Sequence, residues 1–237
     1  MMGVFAIGDL HGCPDELDVL LDRIGAGVDD TLVFLGDYVD RGPRVRPLVE
    51  RLLRLRTALP ATIFLRGNHE DMLLAYLGLG GRHADAYLAN GGAATLASYD
   101  VAPGARGAAA AAAFPATHLE FFGALALTHR HERFLFVHAG VRPGLTLERQ
   151  GEEDLLWIRE EFFTARHDLP WTVVFGHTPQ REARLALPYH VGLDTGLVYG
   201  NKLSCLDLGG RRLLQVSRGG RKVVPRDLDA ELSAANL

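Results

Sequence analysis

Five short apolar runs, each ending at a turn that carries aspartate, asparagine or histidine, constrain this chain more than any other feature of its sequence. The runs occupy residues 4–7, 32–35, 61–65, 134–137 and 172–175. Apolar runs of this length that are bounded by polar turns are typical of buried strands. We therefore expect five strands whose carboxyl ends carry the polar side chains, which is where sites form in open α/β sheets.

The segments between these runs indicate the fold class. Residues 15–24 and 43–59 have apolar residues at intervals of three and four, and Pro43 suits a first helical turn. The first third of the chain is thus predicted to be β-α-β-α-β. Residues 71–128 have a mainly helical pattern, and residues 189–217 alternate as antiparallel strands do. This order predicts an α/β (α+β) fold with helices outside a sheet layer, or outside two sheets packed face to face.

The bulk composition is that of an ordinary globular protein. The chain has 237 residues, of which 48% are hydrophobic, so we expect one domain over 1–228 and a short exposed tail over 229–237. The net charge of −4 gives no general attraction for nucleic acid or an anionic membrane. Two distant cysteines, Cys13 and Cys205, and an N-terminus without a basic start predict a soluble, cytoplasmic protein with reduced thiols. A monomer is the default expectation.

Carboxylate and imidazole groups follow the first two runs. Asp9 and His11 are two residues apart in GDLHG, so both side chains can point to the same side of a chain that has just left a strand. One ion could then bind both. Asp37, in GDYVDRG, offers two oxygens that could bridge two cations.

Three further donors follow the later runs. Asn68 in GNHE has an amide oxygen, and His138 in VHAG and His177 in FGHTP have imidazole nitrogens. Together they could complete a second ion. A set of carboxylate, imidazole and amide donors without thiolate suits manganese, iron or zinc, and we favour manganese. Each turn alone is more often a helix cap or a structural histidine, and the prediction depends on all five occurring in order.

At this point the motifs match a known family. The order GDLHG, GDYVDRG, GNHE, VHAG, FGHTP resembles the PPP-type metallophosphatases among the calcineurin-like phosphoesterases. The resemblance covers positions 8 to about 200, and LLWIRE at 155–160 and GLDTGLVYGNKLSCLDL at 192–208 are similar to the bacterial and phage serine/threonine phosphatase branch. It implies a two-sheet β-sandwich flanked by helices, with a dinuclear metal centre above it.

The resemblance also implies roles for individual residues. Asp9, His11 and Asp37 would hold the first ion, and Asp37, Asn68, His138 and His177 would hold the second. A hydroxide bridging the two ions would attack phosphorus directly. His69 would then protonate the leaving alkoxide as general acid, Asp40 would orient its ring, and Arg41 and Arg159 would bind phosphate oxygens.

Three functions are compatible with these residues. The first is a serine/threonine protein phosphatase that acts on phosphoprotein or small phosphoester substrates. The second is a symmetrical dinucleoside tetraphosphate pyrophosphohydrolase, a family whose pattern has alanine in place of Asp40 and aspartate in place of Glu70. Those two positions favour the phosphatase. The third is a non-catalytic metal-binding interaction protein, which would need neither His69 nor the arginines. Tyr199 either borders the substrate cleft or packs.

Overall fold

The computed structural model describes residues 3–237, and within that range the chain forms two β-sheets packed face to face. The strands are β1 (Val4–Ile7), β2 (Thr31–Phe34), β3 (Ile63–Phe64), β4 (Thr128–His131), β5 (Phe134–Val137), β6 (Thr172–Phe175), β7 (Arg184–Ala186), β8 (His190–Gly192), β9 (Lys202–Asp207), β10 (Arg212–Ser217) and β11 (Val223–Asp227). The helices are α1 (Pro14–Ile24), α2 (Val45–Ala58), α3 (Asn68–Tyr76), α4 (Gly92–Ser98), α5 (Ala108–Ala111), α6 (Ala116–Gly123), α7 (Glu152–Trp157), α8 (Glu160–Thr164) and α9 (Asp229–Ala234).

Parallel strands lie at the centre of both sheets. The first sheet has the order β11-β10-β9-β1-β2-β3, in which β1, β2 and β3 are parallel. The second has the order β4-β5-β6-β8-β7, in which β5, β6 and β8 are parallel. Because the carboxyl ends of parallel strands share one edge of a sheet, the loops after these six strands are brought together.

The alternation of side chains along the strands builds the layers. In β1, Phe5 and Ile7 face one core, which α1, α2, α3 and α6 cover. Val4 and Ala6 face the other way, into the core between the two sheets. On the far side of the second sheet, apolar residues of β5 and β6 pack against α7 and α8. The four layers are helices, sheet, sheet and helices, so the predicted two-sheet sandwich is confirmed.

Most of the predicted elements are present, with shifted ends. The strands at 4–7, 134–137 and 172–175 are found as predicted, whereas β3 is shorter than residues 61–65. The second predicted helix begins at Val45, so Pro43 precedes it and does not open it. Asp40 and Arg41 have positive φ angles of 70° and 65°, and this tight turn delays the start of the helix.

Two sequence expectations need correction, and the segment around Arg159 has a break. Within 189–217, β8 is parallel to β6 and antiparallel only to β7. Arg159 lies between α7 and α8 with φ and ψ of −132° and −104°, which are neither helical nor extended, so the charged segment around it forms two short helices. The expected exposed tail at 229–237 contains α9, whose Leu232 is only 2% exposed in the core between the sheets.

None of the helices in the described part of the chain has the length and hydrophobicity of a membrane span.

Candidate metal centre

The loops that follow β1, β2, β5 and β6 converge on a buried cluster of donor atoms. Two groups of donors meet there, His11 with Asp37 and His69, and Asp37 with His138 and His177, and within each group the atoms lie within 4.8 Å of one another. Asp37 belongs to both groups. The polar turns that follow the apolar strands in the sequence are thus brought together at one place in the fold.

The two oxygens of Asp37 face different histidines. Its Oδ2 lies 3.5 Å from Nε2 of His11 and 3.9 Å from Nε2 of His69. Its Oδ1 lies 3.4 Å from Nε2 of His138. A carboxylate with this placement could serve one cation on each side.

Asn68 completes the second group. Its Oδ1 lies 3.0 Å from Nε2 of His138 and 2.9 Å from Nδ1 of His177. The first residue of α3 therefore presents its amide oxygen to both histidines, and the four donors predicted for the second ion are together.

Asp9 lies beside the first group and outside it. Its carboxylate accepts the backbone N–H of His177, with 3.0 Å between nitrogen and Oδ2, and the residue is 4% exposed. His69, which we expected to act as an acid and not as a donor to the metal, is the third member of the tight group with His11 and Asp37.

Hydrogen bonds to backbone carbonyls orient two of the histidines. Nδ1 of His138 lies 2.8 Å from the Leu35 carbonyl oxygen, and Nδ1 of His11 lies 2.7 Å from that of Val39. Because a carbonyl only accepts, each Nδ1 carries the proton and each Nε2 keeps its lone pair, as in known metal-binding histidines.

Burial keeps these rings uncharged. It lowers the pKa of His11 to about 3, aided by repulsion from His69, and it also lowers the pKa of His138 and of His177. Nδ1 of His177 faces the amide oxygen of Asn68, and its Nε2 is buried and has no hydrogen-bond partner among residues 3–237. Neutral imidazoles can donate a lone pair to a divalent cation.

The carboxyl groups around the cluster repel one another. Burial raises the pKa of Asp9 well above its ordinary value, and repulsion from Asp194 and Asp37 adds to this. Burial and repulsion from Asp37 likewise raise the pKa of Glu70 to about 7 and that of Asp194 to about 6. A bound divalent cation would offset this negative charge, so the donor set fits a metal centre.

His69 is paired with a buried carboxylate. Its Nδ1 lies 2.6 Å from Oδ2 of Asp40. The other oxygen of this carboxylate accepts a hydrogen bond from the hydroxyl of Thr95, with 2.5 Å between the two oxygens. Burial alone would lower the pKa of His69, but the carboxylates of Asp37 and Asp40 outweigh it and raise that pKa. Asp40 is 0% exposed, which fixes the pair in place.

Both predicted arginines reach the cluster. Nη1 of Arg41 lies 2.5 Å from Nε2 of His11. Nη1 of Arg159 lies 3.4 Å from the hydroxyl of Thr178, the residue after His177. Two guanidinium groups therefore flank the donor atoms from different elements.

Strained backbone accompanies the functional side chains. Five of them have positive φ angles, namely His11 (39°), Asp37 (54°), Asp40 (70°), Arg41 (65°) and His177 (65°). Non-glycine residues adopt this region rarely and at a cost of about 1–3 kcal/mol each, and such residues concentrate at functional sites.

Two side chains that shape this site were not predicted from the sequence. Asp194 lies two residues after the end of β8 and is 6% exposed, so the rule of polar residues after apolar strands could have found it. Thr95 lies in α4 and bonds Asp40, and no sequence signal marked it. Glu70 was noted only as a family marker, although its carboxylate accepts backbone N–H groups of Asp37, Tyr38, Val39 and Gly67.

The chain belongs to the calcineurin-like phosphoesterase family, whose model matches residues 2–206, and its two-sheet fold is that of the family. Among curated relatives it is similar to bis(5'-nucleosyl)-tetraphosphatase PrpE [asymmetrical] of Halalkalibacterium halodurans, with 29% identity over 84% of this chain and 87% of the relative. The protein of the same description from Bacillus cereus is 28% identical over 84% and 88%.

Solved structures agree on the fold. A candidate diadenosine tetraphosphatase superposes with a TM-score of 0.68 and 25% identity, over 91% of this chain and 93% of that one. The cold-active protein-tyrosine phosphatase of a Shewanella species superposes with a TM-score of 0.63 over 96% and 80% of the chains. At 17% identity, the second likeness shows the architecture alone.

Proposed function

We propose that this chain is a metal-dependent hydrolase that cleaves a dinucleoside tetraphosphate asymmetrically. The observation that carries the catalytic part is the buried pair of His69 and Asp40, 2.6 Å apart beside the shared carboxylate of Asp37. A metal scaffold used only for binding would not need such a proton-donating pair, so the pair supports an enzyme over an interaction protein.

The chain's donor atoms suit two divalent cations. Asp9, His11 and Asp37 would hold one cation, and Asp37, Asn68, His138 and His177 would hold the other. Such cations, when bound, lower the pKa of water to near neutrality and neutralise the charge of phosphate oxygens. Manganese is our proposal, with iron or zinc as the alternatives that this donor set also suits.

His69 would give a proton to the leaving group. Asp40 holds Nδ1 of the ring, which leaves Nε2 free to face the site. Arg41 and Arg159 would bind phosphate oxygens, because a planar guanidinium offers paired donors with a permanent charge. The two arginines lie in different segments of the chain and contact different residues of the site. This suits an extended polyphosphate, whose negative charge has to be neutralised at more than one point.

The relatives support the nucleotide substrate. Asp40 and Glu70 were the two positions that favoured a protein phosphatase in the sequence. Both are 0% exposed, and they contact His69 and backbone N–H groups. Because neither side chain is exposed to a substrate and both contact groups of the protein itself, we take them to bear on the mechanism and not on the choice of substrate.

A serine/threonine phosphatase is the second candidate, and one observation favours it. The pKa of His69 is raised by its two carboxylate neighbours. An imidazole that stays protonated at neutral pH is available as a proton donor, and this matters most for a strongly basic leaving group, such as the alkoxide of serine or threonine. A nucleoside polyphosphate leaves as a much weaker base and needs this help less.

The test compares substrates on one enzyme preparation. Metal-stripped protein would be assayed with and without manganese on diadenosine tetraphosphate and on a phosphothreonine peptide. Manganese-dependent release of ATP and AMP supports the proposal, while two ADP would indicate symmetrical cleavage. Phosphate release chiefly from the peptide would favour the second candidate, and no activity on either would support the interaction protein.

A further inference from the structure

One aromatic side chain beside the metal centre is not used by the mechanism above. Tyr199 is 62% exposed, although other residues of its turn are buried. Its neighbour Leu197 is 2% exposed in the core beneath α1 and α2. Burial of Leu197 anchors the turn and leaves the ring of Tyr199 outside.

The turn is held rigidly. The backbone N–H of Tyr199 donates to the Gly196 carbonyl, and that of Gly200 donates to the Leu197 carbonyl, both at 3.0 Å. Gly196 and Gly200 have positive φ angles of 69° and 93°, which glycine adopts without strain. A ring presented by a fixed backbone loses little further freedom when a ligand covers it.

Two contacts tie this turn to the catalytic centre. The backbone N–H of Gly196 donates to Oδ1 of Asp194 at 2.9 Å. The guanidinium carbon of Arg41 lies 5.5 Å from the centroid of the Tyr199 ring, and Nη1 of the same arginine lies 2.5 Å from Nε2 of His11. The aromatic ring is thus one arginine side chain away from the donor atoms.

We infer that Tyr199 is a specificity-determining residue that stacks on a nucleobase of the substrate while Arg41 binds the adjoining phosphate. This inference rests on the proposed nucleotide substrate. A nucleoside phosphate has its base one ribose away from its phosphate, so a phosphate at Arg41 brings the base to the ring. An exposed aromatic face binds any base, because every base has a π-face.

The test removes only the base from a ligand. AMP and ribose 5-phosphate have the same phosphate and sugar, and their inhibition constants would be measured against the substrate that the manganese-loaded enzyme hydrolyses. For the wild type, AMP is expected to inhibit at a concentration at least about fivefold lower. In Tyr199→Ala this ratio should fall by roughly 5- to 150-fold towards one, the range of base–aromatic stacking. Tyr199→Phe should keep it.

Tyr189 provides a matched control. The guanidinium carbon of Arg166 lies 5.2 Å from the centroid of its ring. Tyr189 precedes β8, however, so it lies at the amino ends of the parallel strands, whereas His177 follows the carboxyl end of β6. Tyr189→Ala should leave the ratio unchanged.

Three results would overturn the inference. The first is equal inhibition of the wild type by AMP and ribose 5-phosphate. The second is a ratio of the two inhibition constants that is unchanged in Tyr199→Ala. The third is an equal rise of both inhibition constants in that variant, which would show that Tyr199 acts only by positioning Arg41. If the wild type hydrolyses the phosphothreonine peptide and not the dinucleotide, the proposed function fails separately, and the same ratio measured on the peptide still decides the role of Tyr199.

Discussion

Asp37 occupies the point at which the two donor groups meet, with one oxygen towards His11 and the other towards His138. An amide in its place would keep one oxygen and replace the other with a donor that repels a cation. We expect Asp37→Asn to lose metal from both positions and hydrolysis with it. Metal content per chain, measured after manganese loading and gel filtration, checks this. A fully metallated, active variant would contradict the bridging role.

His69 has the position of a proton donor. We expect His69→Asn to lower the turnover of an alkyl phosphoester by about 10²- to 10⁴-fold, since a positioned acid contributes that much. Its metal content should stay near that of the wild type. His83, a histidine with 43% of its side chain exposed, offers a control, and His83→Asn should keep full turnover. Unchanged turnover in His69→Asn would exclude it as the acid.

We expect the pKa of His69 to set the alkaline limit of activity. Burial lowers this pKa, whereas Asp37 and Asp40 raise it above the ordinary value, so the ring stays protonated to higher pH and activity falls as pH rises through the raised pKa. Replacing Asp40 with Asn removes one of the two raising carboxylates. The alkaline limb of kcat/KM for an alkyl phosphoester should then move to lower pH in Asp40→Asn. A limb that stays in place would show that Asp40 does not set it.

The residues that gather at the candidate site could be predicted from the sequence, whereas their strained backbone conformations could not. The six predicted metal donors lie in or beside one buried cluster, and their assignment as ligands stays a prediction. Asp37 and His177 have positive φ angles, and hydrogen bonds join the backbone of each to a distant segment. No local pattern encodes such contacts. The same holds for the hydroxyl of Thr95, which reaches Asp40 across 55 positions.

At the scale of elements, Glu70 joins the turn after β2 to the start of α3. Its carboxylate accepts four backbone N–H groups, at distances of 2.7 to 3.1 Å. Glutamine would place an NH₂ group against some of these donors. We expect Glu70→Gln to lower the free energy of unfolding by about 2 kcal/mol and to weaken metal binding.

Urea denaturation of the metal-free protein measures this change. Glu50 pairs with Arg46 on the surface of α2 and provides the control. Glu50→Gln should change the free energy of unfolding by less than about 0.5 kcal/mol. Equal stability of the two variants would show that the contacts of Glu70 are not needed to hold the turn.

Strands were better predicted than the segments between them. Buried strands such as β5 and β6 can be recognised from their own apolar residues, without knowledge of the rest of the fold. The break between α7 and α8 has no such signal, because Glu152–Trp157 and Glu160–Thr164 read as one charged helix. The backbone of Arg159 is not helical, and its side chain contacts Thr178. This contact joins residues far apart in the sequence and is visible only in the folded chain.

At the scale of the whole molecule, α9 closes the core between the sheets. Leu228 and Leu232, four residues apart, lie on one face of this segment and are 1% and 2% exposed. Leu232→Ala should lower the free energy of unfolding by about 2–5 kcal/mol, the usual cost of emptying a buried leucine site. Val224, 63% exposed on β11, is the control, and Val224→Ala should change stability little. Thermal unfolding of both variants measures the difference, and an unchanged Leu232→Ala would mean that the helix docks weakly.

The hydrogen bond between the backbone N–H of His177 and the carboxylate of Asp9 joins residues 168 positions apart and belonging to different sheets. A ribosome releases the chain from its N-terminus, so Asp9, His11 and Asp37 emerge long before their partners. A nascent chain that ends before β6 already has β4 and β5 but lacks His177, so its Asp9 cannot make this contact. We therefore expect a prematurely terminated chain to have an incomplete donor cluster and no hydrolytic activity.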